Sequence, residues 1–159
     1  MKIGFGYDVH AFCKDRKLIL GGVTIPHDVG LLGHSDADVL IHALMDSILG
    51  ALALGDIGKL FPDTDMTYKD IDSTKLLKRV VEIMEEKSYK IGNVDMTIAL
   101  QTPKIGKYIP EMINGLADIL HTNRENISIK ATTTEELGFV GAKEGAAAYA
   151  VCLLEKIPK

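Results

Sequence analysis

Lys2-Ile3-Gly4-Phe5-Gly6-Tyr7-Asp8-Val9-His10 opens the chain, and its reading decides the fold. Two glycines one residue apart resemble the start of a dinucleotide-binding unit. That pattern needs a third glycine at position 9 and a helix opening after it; Val9 stands there instead, and no helix signal follows. A doubly wound nucleotide fold is therefore rejected. Gly4 and Gly6 read as places where another backbone packs closely against a strand. Residues two apart in a strand leave the same face, so Asp8 and His10 aim a carboxylate and an imidazole into one space. A second imidazole, His42, sits in the apolar helical run from Ala37 to Leu54. Asp-x-His plus one distant His is a three-ligand set of the kind that holds a catalytic zinc with its fourth position open. The spacing alone also fits a hydrogen-bonded surface pair.

The chain beyond this run alternates strands and helices. The first strand is predicted over 2–12. Leu18-Ile19-Leu20, Gly21-Gly22 and Val23-Thr24-Ile25 read as a short hairpin. Gly30 to Asp36 is a loop, and Asp36 is placed to cap the next helix. That helix carries Val39, Leu40, Ala43, Leu44, Ile48 and Leu52 as an apolar stripe, with Gly55 after its end. Gly55 to Asp65 reads as irregular. A second amphipathic helix runs from Ser73, its predicted cap, to Lys87, with Leu76, Leu77, Val80, Val81 and Met84 inward. A strand follows over 94–100, a third helix over 108–121 with Pro110 in its first turn, and a strand over 126–133. The segment 146–156 suits a helix or a buried strand; the alternation of Tyr149, Val151 and Leu153 with smaller neighbours favours the strand. No linker, repeat or low-complexity tract divides the sequence. The expectation is one α+β domain over 1–159, a sandwich of a mixed β-sheet with helices on one face.

Bulk properties narrow the function. The 159 residues are 47% hydrophobic and 25% charged, with a formal net charge of -4. Nucleic-acid binders leave a basic footprint, so nucleic acid is not an expected partner. No signal peptide or membrane-length apolar run is visible, which points to a cytoplasmic protein that does not engage a membrane. Cys13 and Cys152 form no C-x-x-C pair and read as two free thiols.

Three further constellations carry possible chemistry. Asp38 and Asp46 lie one turn before and after His42 on its helical face; Asp46 in particular is placed to fix the His42 tautomer from behind. His34-Ser35 precedes a helix N-terminus, where amides and the dipole favour phosphate. Lys130-Ala131-Thr132-Thr133-Thr134-Glu135-Glu136 ends a strand with hydroxyls and a carboxylate able to hold a phosphate-bound Mg²⁺. Each also fits a bland alternative: solvated acids, an ordinary polar loop, a β-branched strand end.

Read in order, the blocks Gly4-x-Gly6-x-Asp8-Val9-His10, Gly21-Gly22-Val23-x-Ile25-Pro26, His34-Ser35-Asp36-x-Asp38-Val39, Gly55-Asp56-Ile57-Gly58-Lys59-Leu60-Phe61-Pro62-Asp63-Thr64-Asp65, Gly92-Asn93-Val94-Asp95 and Lys130-Ala131-Thr132-Thr133-Thr134-Glu135-x-Leu137-Gly138-Phe139 resemble the 2-C-methyl-D-erythritol 2,4-cyclodiphosphate synthases of the non-mevalonate isoprenoid pathway, nearly end to end. The resemblance implies a lyase that cyclises 4-diphosphocytidyl-2-C-methyl-D-erythritol 2-phosphate and releases CMP. It implies Zn²⁺, or another divalent transition metal, on Asp8, His10 and His42, and Mg²⁺ or Mn²⁺ on Glu135. It implies His34 and Thr133 as the groups that stabilise the transition state. Ser35, Asp56, Ile57, Gly58 and the segment Phe61, Pro62, Asp63, Thr64 and Asp65 would meet the methylerythritol phosphate. Leu100, Gln101, Thr102, Pro103, Lys104, Ile105 and Gly106 would meet cytidine, with Thr132, Thr134 and Phe139 nearby. It also implies a homotrimer with active sites between subunits.

One departure stands out. Relatives often carry arginine where this chain has Ala142, and Lys143 follows one residue later without a guanidinium's fork. Two rival functions make different predictions. A zinc nucleotide phosphohydrolase would release inorganic phosphate, and a non-catalytic trimeric protein binding isoprenoid diphosphates would hold metal without turnover.

Overall fold

A twelve-residue strand, β1 (Lys2–Cys13), opens the computed structural model, which describes residues 1–158. Its alternation divides two environments. Gly4 and Gly6 are buried beneath a helix, and Asp8 and His10 continue the same face. Ile3, Phe5, Tyr7 and Val9 point the other way and are exposed. The elements that follow are β2 (Leu18–Leu20), β3 (Val23–Ile25), β4 (Gly30–Leu31), α1 (Val39–Ala51), α2 (Ile57–Leu60), α3 (Ser73–Glu86), β5 (Tyr89–Ala99), α4 (Ile109–Leu120), β6 (Ile127–Thr132), α5 (Gly138–Gly141) and β7 (Gly145–Lys156). Strands β4-β1-β7-β5-β6 form one mixed sheet, and β2-β3 form the separate hairpin expected from the Gly21-Gly22 turn. Only β5 and β6 run parallel, joined by the α4 crossover.

The segment 146–156 is a strand, as its alternation indicated. It is the centre of the sheet and pairs along most of its length with both β1 and β5. Ala146, Ala148 and Ala150 face the helical layer and are fully buried. Their small size lets α1 lie close. Gly4 and Gly6 extend that approach: a Cβ on either would overlap the carbonyl oxygen of Ser47 or Ala43. The close-packing reading of these glycines therefore holds.

Helix α1 is buried nearly all round, because it lies between the sheet and α3 rather than on the surface. Leu40, Ile41, Leu44, Met45 and Ile48 have no exposed surface; burial of each stabilises the fold by about 1.5–3 kcal/mol over exposure. Helices α3 and α4 keep the amphipathic pattern read from sequence.

The structure corrects several expectations. β5 begins at Tyr89 rather than Val94, and a register irregularity between Ile91 and Asn93 accommodates its polar start. The stretch read as irregular contains α2, whose N-terminus the Asp56 side chain caps by accepting from Lys59 N. The caps of the two long helices are shifted. Asp38 caps α1 and Asp72 caps α3, not Asp36 and Ser73. Asp38 is better placed because its buried carboxylate also accepts from the amides of Gly21 and Gly22, tying the hairpin to the helix. No helix among the described residues is long and apolar enough to cross a membrane.

Candidate functional site

β1 and α1 bring Asp8, His10 and His42 together. Oδ2 of Asp8 lies 2.8 Å from Nε2 of His10 and 3.2 Å from Nδ1 of His42. The two ring nitrogens are 3.1 Å apart. A tetrahedral site with bonds of about 2.0–2.1 Å has ligand atoms roughly 3.3 Å apart, so the three atoms are close to the edges of such a site. The Asp8 oxygen is buried and has no well-angled hydrogen bond. Three electron-rich atoms converging on one point, one of them orphaned, is the arrangement a divalent cation relieves. Together they form a possible metal site.

Without a metal the same groups perturb one another. Burial opposes the Asp8 charge most strongly, but the His10 and His42 rings beside it, 2.8 and 3.2 Å away, outweigh it and lower its pKa. Burial likewise opposes the His10 charge, and Asp8 overcomes it and raises the His10 pKa.

Each imidazole is held from behind. His10 Nδ1 donates to the Leu32 carbonyl at 2.7 Å, which leaves its Nε2 as the lone-pair nitrogen facing Asp8. His42 Nε2 lies 3.1 Å from Ser35 Oγ and 3.0 Å from Ser73 Oγ. The role expected of Asp46 is not met. Its carboxylate instead accepts from the Ile57 amide at 2.8 Å, anchoring the start of α2. Burial raises the Asp46 pKa.

A cavity of about 400 Å³ opens over these ligands. Its walls include His34, Ser35, Ile57, Gly58, Phe61 and Asp63 from the predicted set. Tyr68 and Leu76 join them, and no motif in the sequence singled these out. Asp56, Pro62, Thr64 and Asp65 belong to the same surface segment but do not line the cavity. His34 Nε2 donates to the Asp65 carbonyl at 3.0 Å, and the Asp70 amide donates to the His34 carbonyl. The wall is thus tied to the loop that carries His34. Arg16 was also missed. Its guanidinium donates to the carbonyls of Gly33 and Ser35, strapping that loop from outside. In sequence Arg16 is one charge in the run Lys14-Asp15-Arg16-Lys17, which reads as a solvated turn.

A second cavity, about 590 Å³, lies at the C-terminal ends of β5 and β6. Leu100, Gln101, Pro103, Lys104, Ile105, Gly106, Thr132 and Thr133 line it, with Lys107 and Ala131 in addition. Thr102, Thr134 and Phe139 do not. The Thr133 hydroxyl lies 3.3 Å from Glu135 Oε1 and accepts from the Glu135 amide at 3.3 Å. Glu135 and Glu136 both have positive φ, 53° and 63°. This uncommon backbone turns the Glu135 carboxylate back toward Thr133.

The two cavities share no lining residue. Asp8 pairs with Ala148, Ala148 with Ile98, and Ile98 with Ala131, so the two sites are three strand spacings apart. That is about 14 Å at 4.7–4.9 Å per strand.

The sequence pattern of the YgbB family matches residues 1–155. The chain belongs to the YgbB family. A relative from Finegoldia magna, a 2-C-methyl-D-erythritol 2,4-cyclodiphosphate synthase, is 66% identical over 156 residues, covering 98% of each chain. Among solved structures, the bifunctional IspDF from Campylobacter jejuni superposes with a TM-score of 0.94 at 44% identity. That match covers 98% of this chain and 42% of the longer one. The IspF CDP complex from Plasmodium falciparum gives a TM-score of 0.87 at 37% identity, over 99% and 97% of the two chains. The resemblance read from the ordered blocks is borne out, and the single-domain mixed sheet with one helical face is the fold of this YgbB group. At the departure noted above, Ala142 closes α5 and the exposed Lys143 takes a positive φ of 61°. Lys143 pairs with no carboxylate among the described residues.

Proposed function

We propose that this protein converts 4-diphosphocytidyl-2-C-methyl-D-erythritol 2-phosphate to 2-C-methyl-D-erythritol 2,4-cyclodiphosphate and CMP in the non-mevalonate pathway. The observation that carries the reading is the convergence of Asp8, His10 and His42 on one point beneath a cavity walled by His34 and Ile57 to Asp63. An oxygen of the 2-phosphate attacks the β-phosphorus of the diphosphate. The new P–O bond closes the ring, the bond from the β-phosphorus to the bridging oxygen breaks, and CMP leaves with that oxygen. No water is consumed.

The chemistry asks the protein to hold anionic groups in line and to spread developing charge. Bound zinc would supply a Lewis acid and template at Asp8, His10 and His42. Glu135 would hold a Mg²⁺ or Mn²⁺, which would supply positive charge to the diphosphate. His34 is held by the Asp65 carbonyl with its ring in the cavity wall, and as the imidazolium it would donate to a phosphate oxygen through its other ring nitrogen. Thr133 offers its hydroxyl to the transferred group. The cavity at Leu100 to Gly106 suits cytosine, and a Plasmodium relative described as a CDP complex supports a cytidine ligand.

The same reading includes a homotrimer. Ile3, Phe5, Tyr7, Val9, Tyr149 and Val151 form an apolar sheet face left bare by the helices, between 40 and 73% exposed. Patches of this kind mark association surfaces. Assembly over that face would let one subunit's metal side meet its neighbour's cytidine side. The reading also places the protein in the cytoplasm, which its two free cysteines support.

The test is to incubate the protein with the CDP-linked substrate, Zn²⁺ and Mg²⁺ and to follow ³¹P NMR. Cyclic diphosphate with CMP is the expected result. Inorganic phosphate would indicate a hydrolase, and unchanged substrate with metal bound would indicate a binding protein.

A further inference from the structure

The geometry points to Ser73 as the positioning residue for His42, acting with Asp36 to fix which ring nitrogen faces the metal site. The inference rests on the metal reading above and concerns residues that no catalytic role yet involves. It follows from where one proton must be.

Ser73 is fully buried at the start of α3. Its hydroxyl donates to Oδ1 of Asp36 at 2.5 Å, and its amide donates to Oδ2 of the same carboxylate at 3.0 Å. A carboxylate has no proton to give, so the Ser73 O–H is committed to Asp36. Ser73 Oγ then has only lone pairs to present to His42 Nε2, 3.0 Å away. With the Ser73 O–H committed, a hydrogen bond across that contact can use only a hydrogen of His42. That hydrogen is on Nε2. The neutral ring carries one proton, so Nδ1 is left with the lone pair, and Nδ1 is the atom facing Asp8 and His10.

Ser35 cannot decide this alone. Its hydroxyl also lies 3.1 Å from Nε2, but it is free to donate or to accept and already accepts from the Ala37 amide. The negative charge at Asp36 breaks the symmetry. His10 reaches the same result by a simpler device, since the Leu32 carbonyl can only accept from Nδ1. A wrong His42 tautomer would point an N–H at the ligand set, and outer contacts of this kind are worth about 10–100-fold in metal affinity.

The experiment is two-bond ¹H–¹⁵N NMR of the imidazoles in metal-free protein near pH 8, above the ordinary histidine range, followed by Zn²⁺ competition titration. Wild type should show His42 protonated at Nε2. Ser73→Ala should show a mixture of tautomers and bind zinc about 10–100-fold more weakly, with unchanged far-UV circular dichroism. A folded Ser73→Ala that stays wholly Nε2-protonated and binds zinc within about twofold of wild type, against that expected loss, overturns the inference. Should Ser73→Ala not fold, Asp36→Asn is judged by the same two readouts. Wild-type protein that takes up no zinc refutes the metal reading, whereas the tautomer result on metal-free protein tests the hydrogen-bond assignment separately.

Discussion

Oδ2 of Asp8 stands 3.2 Å from Nδ1 of His42 across the seam between β1 and α1. One residue comes from the middle of a sheet strand, half-buried, and the other from the most buried helix of the molecule. Replacing either by alanine removes one of the three proposed ligands and no hydrophobic side chain of the core. Asp8→Ala and His42→Ala should lower turnover on the order of 10²-fold or more, the several kcal/mol a metal supplies to a charged transition state. Circular dichroism should be unchanged. Activity close to wild type in either variant, with the metal stripped, would remove zinc from the reaction.

Zinc binding should depend on pH with a definite sign. The metal needs His10 Nε2 without its proton, and Asp8 raises the pKa of that ring. Affinity should therefore fall as pH drops through the raised value, and binding near neutrality should release up to about one proton. Metal-free stability runs differently. The Asp8 contribution is present above its unfolded value of 3.8 and lost as pH falls through its lowered pKa. The His10 contribution is fully present below its unfolded 6.5 and lost as pH rises through its raised pKa. Calorimetry in buffers of different ionisation enthalpy measures the proton count; zero release from about pH 6 to 8 would contradict it.

Glu135 has a separate signature. Its carboxylate, turned toward Thr133, is proposed to hold the second cation. Glu135→Gln keeps the shape and loses the charge, so half-maximal activity should need on the order of tenfold more Mg²⁺, about 1.4 kcal/mol of lost cation binding. A superimposable magnesium titration would take Glu135 out of that role.

Asp38 matters to stability rather than to chemistry. Its buried carboxylate serves three amides, those of Gly21, Gly22 and Ile41. Asp38→Ala should destabilise the protein by about 3 kcal/mol, because buried donors lose their acceptor. Burial pushes the Asp38 pKa up to about 6. A raised carboxyl contributes fully below its unfolded 3.8 and loses that contribution as pH rises through about 6. Urea unfolding of wild type against Asp38→Asn from about pH 4 to 7 should show a flatter dependence in the variant.

The bare face of the sheet predicts its own disruption. Phe5 is 62% exposed at the centre of the apolar patch. Phe5→Glu would bury a charge on association and leave the monomer's core unchanged. Sedimentation velocity should show a trimer for wild type and a monomer for the variant, and identical species would refute assembly through this face.

Periodicity revealed the strands, the amphipathic helices and the Asp-x-His pair because each repeats over several residues. What it left hidden depends on contacts between distant segments. Asp36 and Ser73 each carry the residue type of a helix cap, and each stands beside a helix start. A neighbouring aspartate takes the cap in both cases, which frees the pair to bind each other beneath His42. Local rules cannot choose between two aspartates two residues apart when the choice is made by Gly21 and Gly22 in the β2-β3 turn. Asp46 fails for a related reason: it shares a helical face with His42, but the amide of Ile57 claims it. Arg16 carried no signal, since its guanidinium donates to main-chain carbonyls and its one carboxylate neighbour, Asp70 at 3.7 Å, lies far along the chain.

The contact of Gly4 and Gly6 with the carbonyls of α1 has a bearing on retuning the metal. Ligand swaps alter which atoms are offered, but the gap they must span is a backbone-to-backbone distance with no side chain in between to lengthen or shorten. The strand and helix act as the fixed jaws of a caliper. An ion of markedly different radius would have to be accommodated at positions 4 and 6, one turn of pleat away from any atom that touches it.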